Sequence, residues 1–240
     1  MTTNEDKHAE AYLAMVKQVR ALDPATLAAR AGGRWQAGAP DRPDAAAHRP
    51  EAARPDLPEP AGPAAPAGTL ILPSLNSTLS LVWPGLEFRS GNPHLASFPF
   101  RLMALHYLSL VGGEEPGEDW VSYREIPDGM FYADTISREV ERPLAEVYRN
   151  DPEAFLEAGA GLGGDPLTLA DAAFALHPFP KVPVVFILHV EDEEFPAEFP
   201  AEVKVLYERS GARNLPLQDL RILAEHLGRL LRSGGGEGEG

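Results

Sequence analysis

The sequence has no cysteine, few basic residues and no long apolar run. The absence of cysteine excludes disulfides, thiolate nucleophiles and cysteine-held zinc or iron–sulfur sites. Acidic residues outnumber Lys and Arg by 36 to 21, which gives a net charge of −15. Because a chain this negative repels phosphate backbones and anionic lipids, we expect neither nucleic acid nor a membrane as a partner.

Targeting and membrane-spanning patterns are also missing. No apolar run approaches the roughly 20 residues that a membrane-spanning helix needs. The first residues, MTTNEDKHAEAY, lack the basic region and apolar core of a signal peptide. We therefore expect a soluble, cytoplasmic protein.

Small residues and proline are concentrated in one stretch, and this divides the chain into segments. Residues 1–30 have helical apolar spacing and predict an N-terminal helix. In residues 31–68, 25 of 38 positions are Ala, Gly or Pro, so this stretch predicts a disordered linker that is dispensable for folding. Residues 69–232 contain the apolar patterns of a folded domain, and the Gly-rich residues 233–240 predict a disordered tail.

The pattern within residues 69–232 predicts an α+β fold. Strands are predicted in TLILPSL, STLSLVW, LEFRS, WVSYREI, ADAAFALH and VPVVFILHV, and helices at residues 98–110, 132–148, 152–161, 202–208 and 216–231. Strands come first, helices follow, and a hairpin precedes the last helices. This order predicts a single domain with a mainly antiparallel sheet covered by helices.

Several of these stretches resemble one known family. They are DWVSYREIPDGMFY, LGGDPLTLADAAFALHPFPKVPVVFILHVEDEEFPAE and KVLYERSGARNLP. Together they resemble the DUF3786 family, which occurs mostly in anaerobic prokaryotes and has no assigned activity. Some members are joined to an iron–sulfur domain, which implies a role in anaerobic redox or one-carbon metabolism. Because this chain has no cysteine, such redox chemistry would take place on a partner.

An acidic run follows the most apolar strand of the chain. VPVVFIL leads into Glu191, Asp192, Glu193 and Glu194. The run is compatible with a solvated strand end, with a carboxylate cluster that binds a cation or a positively charged ligand, and with a cap for a helix near residue 201. Its spacing matches no known metal motif, so no metal site is predicted.

The apolar strand and the acids also predict how this region folds. VPVVFIL has no polar residue, so we expect an interior strand that is buried on both faces. Phe195 is expected to fold back as a buried anchor. Glu193 or Glu194 would then border a concavity shared with Asp171 or Arg124.

Two further groups are candidates for a site. If PFPK closes a hairpin, the numbers of paired residues sum to 360 and His189 faces Asp171, either as an oriented base or ligand or as a polar pair that fixes the register. Trp120, Tyr123 and Arg124 could form an aromatic slot for an anionic or planar ligand, or they could be ordinary core packing.

Two functions of different classes follow from these patterns. The first is a non-catalytic module that binds a small ligand or docks on a metabolic enzyme, with the N-terminal helix as a tether to a protein partner. Its ligand-binding candidates are Trp120, Tyr123, Arg124, Asp192, Glu193 and Glu194. The alternative is an enzyme in which Asp171, His189, Glu193 and Glu194 supply acid–base or metal-ligand groups. No pattern identifies a cofactor, and whether the protein is an enzyme stays open.

Overall fold

The computed structural model describes residues 4–38, 66–192, 194–195 and 197–234. Helices and antiparallel sheets make up the described chain, which confirms the predicted α+β class. The residues group into two compact units, Met1–Gly113 and Glu114–Gly240, each with a sheet of its own. The predicted domain over residues 69–232 extends into both of these units, and its boundaries stay a prediction.

The first unit contains a four-stranded antiparallel sheet and three helices. The strands lie side by side in the order β1-β2-β3-β4. The elements are α1 (Asn4–Arg20), α2 (Pro24–Arg30), β1 (Arg34–Ala37), β2 (Gly68–Ser74), β3 (Ser77–Trp83), β4 (Glu87–Arg89) and α3 (Phe98–Leu110).

The predicted N-terminal helix is formed as two helices with a sharp break. The Asp23 carboxylate accepts a hydrogen bond from the Thr26 backbone N–H at 2.8 Å and caps α2, and Pro24 occupies its first turn. On α1, Val16 and Val19 are buried, and this helix packs against α3. These two side chains of α1 are thus part of the core of the first unit, and a partner protein bound through the N-terminal helix stays a prediction.

The predicted linker is wrong at both of its ends. Arg34–Ala37 forms β1, which pairs with Gly68–Ile71 at the start of β2. The Trp35 ring lies 5.9 Å from the Trp83 ring in an edge-to-face arrangement. One large aromatic side chain and a paired backbone suffice to order a segment whose composition is that of a linker. The rest of the predicted linker, residues 39–65, lies outside the described residues.

The second unit contains a five-stranded antiparallel sheet in the order β5-β9-β8-β7-β6. Short 3₁₀ turns follow β5 and β9. The main elements are β5 (Trp120–Ser122), α4 (Ala133–Ile136), α5 (Arg142–Tyr148), α6 (Pro152–Gly161), β6 (Asp165–Leu167), β7 (Ala172–Phe179), β8 (Val182–His189), β9 (Glu202–Glu208) and α7 (Leu217–Gly234). Residues 235–240 of the predicted tail lie outside the described residues.

The apolar strand VPVVFIL is β8, at the centre of this sheet. Its first seven residues are buried, as predicted for an interior strand. Its neighbour β9 was predicted to be a helix, and that prediction is wrong. In β9 the apolar residues Val203, Val205 and Tyr207 alternate with exposed or half-buried ones at Glu202, Lys204 and Leu206, which is the period of a strand.

The helical segment predicted at residues 132–148 is continuous but contains a wide turn. Ser137–Glu141 is a π-helical segment between α4 and α5, where the Arg142 backbone N–H donates to the Ser137 carbonyl. Pro143 explains this turn, because proline has no N–H to donate and its ring collides with the carbonyl four residues earlier.

Candidate functional site

The connections of the second unit gather at two ends of its sheet. Because the strands are antiparallel, the chain leaves β5, β6 and β8 at the end where it enters β7 and β9. We call this the loop end; it carries residues 168–171 and the connection between β8 and β9, whereas β5 ends half-way along β9, opposite Leu206. The opposite, or turn, end carries the tight β7–β8 connection at Pro180 and Lys181.

The acidic run lies at the loop end, and the side chain of Asp192 forms hydrogen bonds with the backbone of the residues that follow it. One Asp192 carboxylate oxygen accepts hydrogen bonds from the N–H groups of Glu194 and Phe195, both at 2.8 Å. The Asp192 N–H donates to the Phe199 carbonyl at 3.0 Å, and the Phe199 N–H donates to the Phe195 carbonyl at 3.0 Å. The Asp192 side chain therefore fixes the shape of this loop.

The neighbouring acids have different environments. The Glu191 backbone N–H donates to the Asn150 side-chain oxygen at 2.8 Å, and Glu194 is exposed. Glu193 lies outside the described residues. The proposed cap for a helix near residue 201 is wrong, because β9 begins at Glu202.

Phe195 was expected to be a buried anchor, and this prediction is wrong. Its side chain is 53% exposed and that of Phe199 is 60% exposed. The hydrogen bonds of Asp192 hold the loop in a turn of its own, so both rings face solvent instead of folding back onto the sheet. Three further large apolar residues at Met130, Phe131 and Tyr132, in the segment after β5, are 63%, 75% and 54% exposed.

The register predicted for the β7–β8 hairpin is confirmed over most of its length. Ala172 pairs with Leu188, and their numbers sum to 360 as predicted. The ladder ends at that pair, and His189 instead pairs with Glu202 on β9. The Asp171 carboxylate accepts a hydrogen bond from the Val190 backbone N–H at 3.0 Å. A side-chain contact between Asp171 and His189 stays a prediction.

The aromatic residues of the predicted slot lie on opposite faces of the sheet. Trp120 packs, with Leu206, against a small cluster of buried residues on one face: Ala173, Ala175, Val185 and Ile187. Tyr123 is on the other face, where its hydroxyl donates to the Leu217 carbonyl at 2.8 Å and burial raises its pKa to about 12. Arg124 is exposed and forms an ion pair with Asp134 at 3.3 Å. A ligand-binding role for these residues stays a prediction.

The structure places a half-buried carboxylate, Glu141, at a position that the sequence did not single out. Strand β5 ends at Ser122, opposite Leu206. The backbone N–H of Val205, the residue of β9 just beyond that end, therefore has no β5 residue opposite it. The Glu141 carboxylate accepts this hydrogen bond from Val205 at 3.1 Å. Burial raises the pKa of Glu141, while the Val205 hydrogen bond and the Lys204 ammonium oppose the rise. A short strand and Pro143 were the signals that could have pointed to this position.

Tyr207 lies on the buried face of β9, together with Val203 and Val205. Its hydroxyl donates to the Leu220 carbonyl of α7 at 3.3 Å, and its ring lies 5.9 Å from that of Tyr123. Burial raises the pKa of Tyr207 well above its usual value, and the Glu141 carboxylate adds to the rise. These groups fasten α7 and the segment after β5 to the sheet.

Within residues 4–38, 66–192, 194–195 and 197–234, no group of three or more His, Asp or Glu side chains could hold a metal ion. No helix in those same residues is both long and apolar enough to cross a membrane.

Comparison with known proteins gives one match. The model of the family described as "Domain of unknown function (DUF3786)" matches residues 59–229, which reach into both units. No curated protein and no solved structure matches the chain. Since the family model covers well over half of its length, the chain belongs to the DUF3786 family.

Proposed function

We propose that this chain is a non-catalytic accessory module that docks on a protein partner through the loop end of its second unit. As the class of partner we propose a metabolic enzyme of the redox or one-carbon type. The reason is that relatives in the family are joined to iron–sulfur domains, whereas this chain has no cysteine of its own.

The observation that carries the proposal is the pair of exposed rings at Phe195 and Phe199. Exposed large aromatic side chains in a group are typical of interaction surfaces, where they supply much of the binding energy. The loop that carries them is already fixed by the hydrogen bonds of Asp192. Binding through such a loop loses little conformational entropy, which favours affinity.

The charge around the two rings indicates the chemistry of the partner surface. Between Val190 and Val203 the sequence has six acidic residues and no Lys or Arg. A partner with an apolar groove rimmed by basic side chains would complement both features. Its attraction would be electrostatic at the rim and therefore weaker at high salt.

The exposed turn after β5 extends the same argument. A Cβ atom placed on Gly129 would lie 1.8 Å from the Tyr123 carbonyl oxygen, so only glycine fits there. Asp128, just before it, has a left-handed backbone with φ of 63°. This constrained turn presents Phe131, which is 75% exposed, as a further large aromatic side chain on the surface of the second unit.

Site-specific photocrosslinking tests the proposal. The photoreactive residue p-benzoylphenylalanine is placed at position 199 of the full chain, or at position 110 as a control. Leu110 is comparably exposed at 49% but lies in α3, which belongs to the first unit. We expect one protein adduct from position 199 and none from position 110. The Glu191→Gln/Glu194→Gln variant and raised salt should both weaken that adduct.

The outcomes separate docking from its alternatives. Equal adducts from both positions, or an adduct that ignores salt and the two glutamine substitutions, would contradict the proposal. An adduct made only of two copies of this chain would replace docking on an enzyme with self-association. A matching loss of the adduct with Phe195→Ser, at unchanged thermal stability, would attribute affinity to the aromatic rings of the loop.

A further inference from the structure

The turn end of the sheet buries two side chains of opposite charge. Lys181, in the β7–β8 turn, and Glu208, the last residue of β9, are each 2% exposed. Both border Gly211: a Cβ atom there would lie 2.8 Å from the Lys181 carbonyl oxygen and 3.4 Å from a Glu208 carboxylate oxygen. Lysine and glutamate are almost never buried so completely unless their charges are compensated.

Glu208 is compensated by groups next to it in the chain. One of its carboxylate oxygens accepts hydrogen bonds from the Ser210 hydroxyl and from the Gly211 backbone N–H, the latter at 2.6 Å. This is the arrangement of a carboxylate that stabilises the start of a helical turn, here Gly211–Asn214. Its role is therefore structural.

Lys181 is compensated by a residue of a different kind. Its ammonium lies 2.8 Å from a carboxylate oxygen of Glu115, and the two side chains are 3% and 80% exposed. Glu115 belongs to residues 114–119, which form no helix or strand and include Pro116 and Gly117. A buried cation thus meets a carboxylate that reaches it from the solvent side on an irregular segment.

We infer that Lys181 is the anchor of a carboxylate-binding site, and that Glu115 fills this site from within the same chain. The ligand would be a small-molecule monocarboxylate whose carboxylate replaces that of Glu115. A desolvated ammonium favours such a group strongly, because little water competes for it. Glu115 competes as a tethered group with a high effective concentration, so the ligand gains access when residues 114–119 move away.

The neighbouring charge sets the expected selectivity. The buried Glu208 carboxylate borders the segment that carries Glu115, because a Cβ atom on Gly117 would lie 3.7 Å from one of its oxygens, so a second negative charge on the ligand would be brought towards a buried carboxylate. Monoanions such as acetate are therefore expected to bind better than dianions such as sulfate. This site lies at the end of the sheet opposite the proposed docking surface and does not depend on any protein partner.

Chemical rescue tests the inference on the full chain. Glu115→Ala removes the internal carboxylate, and we expect its thermal midpoint to fall by about 5 °C. Sodium acetate should restore at least half of that fall relative to sodium chloride of the same ionic strength. The double variant Lys181→Met/Glu115→Ala is the control, and acetate should stabilise it no more than chloride does. Sulfate, which stabilises proteins unspecifically, is compared in the same pair of variants.

A second measurement does not require the alanine variant to fold. Glu115→Gln keeps the length of the side chain and removes its charge. Acetate should then shift the NMR signals of the Lys181 side chain saturably in this variant, and much less in the wild type. The inference is overturned if acetate stabilises Glu115→Ala and the double variant equally, or if the Lys181 signals in Glu115→Gln do not move.

Discussion

The two ends of the five-stranded sheet place charge and apolar surface in opposite ways. At the turn end, Lys181 and Glu208 are buried. At the loop end, the Glu194 carboxylate and the rings of Phe195 and Phe199 are exposed. Burial of charge is costly and stabilises only a fully bonded arrangement, whereas exposure of aromatic rings has no stabilising effect in the isolated chain. The buried charges at the turn end are therefore expected to contribute to the stability of the fold, whereas the exposed rings at the loop end are not needed for it.

The largest expected effect on stability is that of Gly211→Ala, at the turn end of the sheet. The new Cβ atom would lie 2.8 Å from the Lys181 carbonyl oxygen, which belongs to the backbone and cannot move cheaply. We expect a loss of about 2–3 kcal/mol in the free energy of unfolding, measured by urea titration. Gly117→Ala is the matched control, since its Cβ would lie 3.7 Å from a Glu208 oxygen. Equal effects of the two substitutions would show that the turn end is not tightly packed.

A smaller effect is expected beside the end of β5, where the half-buried Glu141 carboxylate accepts a hydrogen bond from β9. Glu141→Ala leaves the Val205 N–H without its acceptor, which should cost about 1–2 kcal/mol. Glu141→Gln retains a side-chain oxygen for that hydrogen bond and removes the half-buried charge. At neutral pH we expect this variant to be at least as stable as the wild type in urea titrations.

The difference in the free energy of unfolding between the wild type and Glu141→Gln should depend on pH. Burial raises the pKa of Glu141 in the folded chain above that of the unfolded chain. The protonated carboxyl therefore contributes stability that is fully present below the unfolded pKa and is lost as the pH rises through the folded pKa. Relative to Glu141→Gln, the wild type should become less stable as the pH rises over that interval. A difference that does not vary with pH would mean that Glu141 is not desolvated.

The exposed hydrogen bonds of Asp192 at the loop end should stabilise the chain less than the half-buried hydrogen bond of Glu141 does. Asp192→Ala removes the acceptor for two backbone N–H groups that water can reach. We expect a loss of about 0.5–1 kcal/mol and faster protease cleavage within residues 190–201. Asp192→Asn, which keeps an acceptor oxygen, should restore most of the resistance. If cleavage is equally slow in all three proteins, the side chain of Asp192 does not hold the loop.

The smallest effect on stability is expected for Phe195→Ser/Phe199→Ser. Both rings are more than half exposed, so the free energy of unfolding should change by less than about 0.5 kcal/mol. Thermal unfolding of the double variant checks this. A loss above that range would mean that the rings pack in solution, and the contrast between the two ends would then fail.

Parts of this fold and site could be predicted from the sequence because their determinants are local. The β7–β8 hairpin combines two apolar runs with a short connection, and its register was predicted correctly up to Leu188. Helical structure within residues 1–30 was predicted in place, although the structure divides it into α1 and α2 at Asp23 and Pro24. The segment EVKVLYE was wrongly predicted to be a helix. Its apolar residues alternate with polar ones over most of its length, and this alternation favours the strand β9 beside β8.

The site residues were harder to predict, because their surroundings come from distant parts of the chain. Glu141 reaches Val205 across 64 positions, and nothing in either stretch announces that contact. Tyr123 and Trp120 are three positions apart, yet the strand and the turn after it send them to opposite faces. Aromatic composition alone could not distinguish a slot from two separate packing sites.

The sequence by itself determined the family resemblance, the α+β class and the central position of β8, because a strand of seven apolar residues is stable only where both of its faces are buried. It also determined the acidic character of the β8–β9 connection. Only the tertiary structure decided that Lys181 is buried, that Phe195 is exposed and that Trp35 belongs to a strand. Each of these outcomes depends on which distant residue supplies a partner or an apolar surface, and that choice is made when the whole chain packs.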